Sequence, residues 1–152
     1  MTITPYHYTE CGLDDVWIEG IELHVDLAGK AVYRIPNFPG LHREIARSIV
    51  CDGVGMTGPE LRFLRTELGL TQQELGNILH VEALTISRWE RGENPIHQNA
   101  MTVIRLLAVE RLKLEEIGIE RISRQSVSDA KSARVVVDGT DPENYRAQRK
   151  VA

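Results

Sequence analysis

Between residues 16 and 35 apolar and polar side chains alternate with a period of two. Ile21, Leu23 and Val25 fall on one side of an extended chain, with Glu22, His24 and Asp26 on the other. The alternation predicts a β-hairpin with one buried face. It turns at Ala28-Gly29-Lys30 and returns through Ala31-Val32-Tyr33-Arg34-Ile35 until Pro36 stops the strand. The spacing then changes: Leu41, Ile45 and Ile49 recur at every fourth residue. That period predicts a helix over 38–51, with Arg43, Glu44 and Arg47 turned outward. A ββα unit of about 50 residues is small for a core of its own, so it is expected to lean on a neighbour or a second subunit.

The glycine-rich stretch 52–58, Asp-Gly-Val-Gly-Met-Thr-Gly, reads as a linker between domains. Short helices follow it. Pro59 opens the first, Leu61, Leu64 and Leu68 form its stripe, and Gly69 ends it. Thr71 caps the second, with Glu74 as its capping-box partner and Leu75, Ile78 and Leu79 facing inward. A third helix spans 83–90, with Ile86 and Trp89 on its inner side. A longer one runs from 98 to 116 through Met101, Ile104, Leu107, Ala108 and Leu112. Residues 117–152 read as a mobile polar tail; within 123–152 the only apolar run is Val135-Val136-Val137, which offers one strand to the hairpin. The fold class is therefore mainly α with a small α+β N-terminal part. A ββα domain at 1–51 precedes a helical bundle at 59–116.

Composition changes this picture little. Of 152 residues, 42% are hydrophobic and 26% charged, which is ordinary for a folded globular chain. No stretch has the ~18–20 apolar residues of a membrane span. The N-terminus lacks the basic start and apolar core of a signal peptide. Cys11 and Cys51 cannot form a disulfide framework, so a reducing cytoplasm is the expected location. The net charge of −4 is uneven: residues 1–56 hold four basic against eight acidic side chains, and 57–115 hold seven against eight. A DNA-contacting face beyond residue 57 is compatible with that distribution.

The chemistry concentrates in Leu70-Thr71-Gln72-Gln73-Glu74-Leu75-Gly76-Asn77-Ile78-Leu79 and Ser87-Arg88-Trp89-Glu90-Arg91-Gly92. A capped helix, a turn at His80-Val81 and a second short helix cross so that the second presents one face outward. The major groove is wide enough to admit such a helix. Ile86 and Trp89 point to the core, leaving Ala83, Leu84, Thr85 and Arg88 outward. At these residues the chain resembles the Xre-type, phage-repressor-like helix-turn-helix regulators across 59–113. The resemblance implies that Gln72 clamps a phosphate, that Ala83, Leu84, Thr85 and Arg88 read bases, and that Arg91 touches the backbone. It also implies a buried salt bridge between Arg65 and Glu90.

Arg91-Gly92-Glu93-Asn94-Pro95 leading into Thr102-Val103-Ile104-Arg105-Leu106-Leu107, with strands ahead of it, further resembles the MqsA-type antitoxins. In that family a zinc-bearing N-terminal domain binds a toxin and the helix-turn-helix dimerises on its operator. The family's two Cys-x-x-Cys pairs have no counterpart here, where Cys11 and Cys51 stand alone. His7, Cys11, His24, His42 and Cys51 lack paired-ligand spacing, so no metal and no cofactor is expected. Asp14 and Asp15 read as loop residues without an acid–base partner. The leading expectation is a dimeric repressor on a palindromic operator in double-stranded DNA, with a toxin as possible partner of residues 1–51. The alternative is an interaction module that kept the helix-turn-helix fold and lost DNA binding, as Glu82 beside the recognition helix suggests. A self-cleaving enzyme would need a catalytic domain after residue 116, where only a short polar segment follows, so no enzymatic activity is expected.

Overall fold

The computed structural model describes residues 5–114, 117–128 and 133–151. In chain order these form β1 (Tyr6–His7), β2 (Val16–Glu19), β3 (Leu23–Val25), β4 (Ala31–Tyr33), α1 (Phe38–Arg47) and a π-helical turn (Ser48–Asp52). Then come α2 (Gly58–Glu67), α3 (Gln72–Leu79), α4 (Ala83–Glu90), α5 (Gln98–Arg111), α6 (Ile119–Gln125), β5 (Ala133–Asp138) and β6 (Arg146–Val151).

The C-terminal segment is where structure and sequence reading differ most. Instead of a mobile tail, β5 and β6 form an antiparallel pair inside a four-stranded sheet of order β1-β2-β5-β6. Val135, Val136 and Val137 pair in parallel with Val16, Trp17 and Ile18 of β2, not with the hairpin β3–β4. Val16, Ile18, Val135, Val137 and Ala147 are buried on the sheet's inner face, which lies against α1 and the π-helical turn. The polar composition of β6 conceals this. Its inward positions are Ala147 and Arg149, and Arg149 is neutralised by Glu60 of α2 at 2.6 Å. The helix expected to reach residue 116 ends at Arg111, and Glu115 and Glu116 lie outside the described residues.

Two further expectations are corrected. The hairpin forms with Leu23 opposite Tyr33 and Val25 opposite Ala31, yet most of its apolar face is uncovered, with Tyr33 packed against Tyr6 at a centroid distance of 4.5 Å. Ile21 is buried, whereas Leu23, Val25 and Leu27 are 53%, 68% and 111% exposed. The reason is topological: the core is already closed by β5 and β6, and the hairpin is left projecting as a separate two-stranded sheet. Glu44, expected outward, is buried because β6 crosses it. Its carboxylate accepts from Arg47 and from the backbone N–H of Ala147, while Arg47 donates to the Ala147 carbonyl. Those bonds satisfy the backbone of a sheet edge that would otherwise be open to pairing.

Stretch 52–58 is a packed joint, not a free linker. Gly53, Gly55 and Met56 are buried, and the Gly55 N–H donates to the carbonyl of Gln125. Arg105 of α5, wholly buried, donates to the carbonyls of Ile49, Val50 and Gly55. Its cation thus sits at the C-terminal end of the α1 helical segment, where carbonyl dipoles are unpaired. Burial pulls its pKa down to about 10, which leaves it charged at neutral pH. One hydrophobic core runs from Tyr8 through Leu41, Leu61 and Trp89 to Tyr145.

Candidate nucleic-acid interface

Two capping boxes place the helices of the motif. Thr57 accepts from the N–H of Glu60 and Thr71 from that of Glu74, and each glutamate returns a bond to the cap backbone. Between α3 and α4 the chain turns tightly at His80, whose backbone is left-handed at φ 59°. Gly76 permits the close approach: a Cβ there would lie 2.6 Å from the carbonyl oxygen of Val81. Leu75, Ile86 and Trp89 then meet in the core, with Trp89 only 5% exposed.

The pair that orients α4 is bidentate. Arg65 Nε donates to Glu90 Oε2 at 2.7 Å and Nη2 to Oε1 at 3.0 Å, while Nη1 donates to the Leu70 carbonyl at 2.9 Å. Glu90's side chain is 5% exposed and Arg65's 15%. Glu90 raises the pKa of Arg65 further through this bond, so the guanidinium stays charged. Gln72 at the first turn of α3 directs its amide toward Glu90 at 3.4 Å, not fully outward.

On α4 the outermost side chains are Leu84 and Arg88, both exposed. Ala83 and Thr85 are half-buried at the margins of that face. Arg88 has no side-chain hydrogen bond or ion pair among the described residues. Arg91, by contrast, is engaged by Glu93 at 2.7 Å and by the Ser87 carbonyl. Ser87 was not singled out from the sequence, although its position three residues past Leu84 and four before Arg91 puts it on the same face. Thr85 instead lines an open concavity with Gly76, Asn77, His80, Val81 and Glu82. The resulting surface has an apolar contact, a free guanidinium and hydroxyls, which suit base edges, beside Gln72 and Arg91, which suit phosphates.

Residues 61–109 match a family model described as Helix-turn-helix. No curated protein and no solved structure gives a match to the chain. The matched segment runs from α2 through most of α5. This part of the chain is therefore similar to helix-turn-helix domains, and α3, the turn at His80 and α4 have that motif's arrangement.

The candidate ligands named from the sequence do not converge. His7 stacks on Trp17 with centroids 4.2 Å apart, and His42 lies between Tyr8 and Glu67. Among the described residues no group of three or more His, Cys, Asp or Glu side chains is placed to hold a metal ion. Among those residues, too, no helix is long and apolar enough to cross a membrane.

Proposed function

We propose that the protein is a sequence-specific transcriptional regulator that inserts α4 into the major groove of double-stranded DNA. The observation that carries this reading is the exposed Arg88, free of any acceptor among the described residues, on the outer face of α4, while Arg65 and Arg91 nearby are engaged. An arginine there suits the O6/N7 edge of guanine, and Leu84 with Ala83 suits thymine methyls. Gln72 and Arg91 supply phosphate contacts, each by exchanging its present partner for DNA. The protein acts by binding, without catalysis, in the cytoplasm, as a dimeric repressor whose two-fold symmetry matches a palindromic operator.

The exposed Leu23 and Val25 of β3 support a protein partner for residues 1–51, of which a cognate toxin is the candidate. Coexpression with a neighbouring small reading frame tests that part. The DNA reading is tested by measuring Arg88→Ala and Gln72→Ala against selected and scrambled duplexes at one salt concentration. Arg88→Ala is expected to lose about 1–3 kcal/mol on the selected site and to relax one base position. Gln72→Ala is expected to weaken both duplexes alike, because phosphates carry no sequence. Folded Arg88→Ala that binds its site as tightly as the parent protein overturns the assignment.

A further inference from the structure

The three helices of the motif begin in different ways. Thr57 and Thr71 cap α2 and α3 through their hydroxyls, whereas α4 begins at Glu82, whose side chain makes no bond to its own helix. A Ser, Thr, Asp or Asn at that position would cap the helix and stabilise it, so Glu82 is a poor choice for the fold alone. Its carboxylate is exposed, has no ion pair among the described residues, and lines the open concavity beside Asn77, His80 and Thr85. It immediately precedes Ala83 and Leu84. On a surface that meets a polyanion such a carboxylate is unfavourable everywhere except opposite a hydrogen-bond donor. In the major groove, cytosine presents one in its N4 amino group, which Asp and Glu side chains accept from.

We propose that Glu82 is a specificity-determining residue: its carboxylate accepts a hydrogen bond from a cytosine amino group and repels the DNA backbone where that cytosine is missing. The inference rests on the DNA-binding reading above and goes beyond it in naming an acidic reader on the edge of a basic and apolar face. Arg88 and Glu82 then divide the work. The arginine attracts any duplex and prefers guanine, while the glutamate raises the ratio of specific to nonspecific binding by penalising the wrong sites.

The experiment starts from a randomised duplex pool, from which the full-length protein selects its own site. Affinities of parent, Glu82→Gln, Glu82→Ala and Glu82→Thr are then measured on that site, on every single-base variant of it, and on scrambled DNA. The parent is expected to prefer cytosine at one position by at least about fivefold. Glu82→Ala and Glu82→Thr lose that preference and bind scrambled DNA several-fold more tightly. Glu82→Gln shifts the preference at the same position toward adenine, the base that Gln pairs with. Glu82→Thr also restores a capping hydroxyl, so its melting temperature should not fall, which separates base reading from folding. Variants with the parent's preference at every position overturn the inference while leaving the DNA-binding reading intact. A parent protein that selects no sequence removes both.

Discussion

The helix-turn-helix and the sheet around it solve the burial of charge in opposite ways. Within the helix-turn-helix, one bidentate pair joins α2 to α4 across 25 residues, with α3 placed between them by its own capping box. The α/β part is held instead by contacts that span the chain. Glu60 meets Arg149, Glu44 meets the backbone of Ala147, and Arg105 reaches back to Ile49, Val50 and Gly55. The first unit can organise from neighbours; the second exists only once both ends of the chain have met. Because Arg105, Glu60 and Glu67 belong to the helical segment, the sheet is fastened to it and not strung beside it.

Removing the last strands should be the most damaging change. A chain ending at residue 128 loses the buried Val135, Val137, Tyr145 and Ala147 together with Arg149. Each large apolar side chain contributes about 1.5–3 kcal/mol by burial. Together they approach the ~5–15 kcal/mol of a typical domain. Cooperative unfolding followed by circular dichroism should be lost or shifted to the helical segment alone. A truncated chain that melts like the parent would return residues 129–152 to the status of a tail.

Single buried ions come next, one that fastens the helical segment to the α/β part and one within the helix-turn-helix. Arg105→Ala leaves three inward carbonyls without their donor and opens a cavity, and should cost about 4 kcal/mol or more. Glu90→Ala strands the Arg65 guanidinium and should cost about 3–5 kcal/mol. The comparison predicts different footprints in amide exchange. Arg105→Ala should loosen α1 and the 53–56 joint, while Glu90→Ala should loosen α3 and α4. Identical exchange patterns for the two variants would show one cooperative unit with no internal division.

These effects also explain what was legible in the sequence. Pro59, Gly69, Thr71 and Glu74 act within one or two turns of themselves, so the helices could be read from local pattern and the Arg65–Glu90 pair from resemblance. The sheet could not. Val16 pairs with Val135 at a distance of 119 residues, β1 has two residues, and β6 reads as polar because its inward Arg149 is paired with Glu60. The exposure of the hairpin could not be read for a different reason: its alternation is real and the strands pair, but periodicity does not say whether the chain itself supplies the cover. Glu44 was misplaced because its partner lies 103 residues away.

Gly76 offers a smaller, local break. Alanine would gain about 1 kcal/mol of helix propensity. Its Cβ would meet the Val81 carbonyl at 2.6 Å, a backbone atom that cannot swing aside. Forcing the turn open should cost about 1–3 kcal/mol, which outweighs the gain. Gly76→Ala should therefore lower the melting temperature and, by tilting α4 away from α3, weaken DNA binding beyond what stability explains. An unchanged or raised melting temperature would mean the turn has slack.

The smallest effect lies where the two regions touch. Tyr8 bonds His42 Nε2 at 2.6 Å, and His42 Nδ1 bonds Glu67 of α2 at 2.7 Å, so the segment that follows β1, α1 and the first helix of the motif are linked in line. Burial pushes the Tyr8 phenol up to about 12. An acid whose folded pKa is raised contributes stability that is fully present below its unfolded pKa, about 10, and is lost as pH rises through the folded value. Tyr8→Phe removes both the hydrogen bond, worth about 1 kcal/mol, and this titration. The variant should be less stable than the parent at neutral pH, and the gap should narrow between pH 10 and 12 as the parent loses its advantage. Tyr6, also raised to about 12 by its bond to Glu10, titrates in both proteins and cancels in the difference. Urea denaturation of the two proteins at pH 8 and at intervals above pH 10 measures that gap. A gap of constant size would show that the Tyr8 hydroxyl is reached by solvent, and that the joint between the N-terminal segment and the helix-turn-helix is looser than its hydrogen bonds imply.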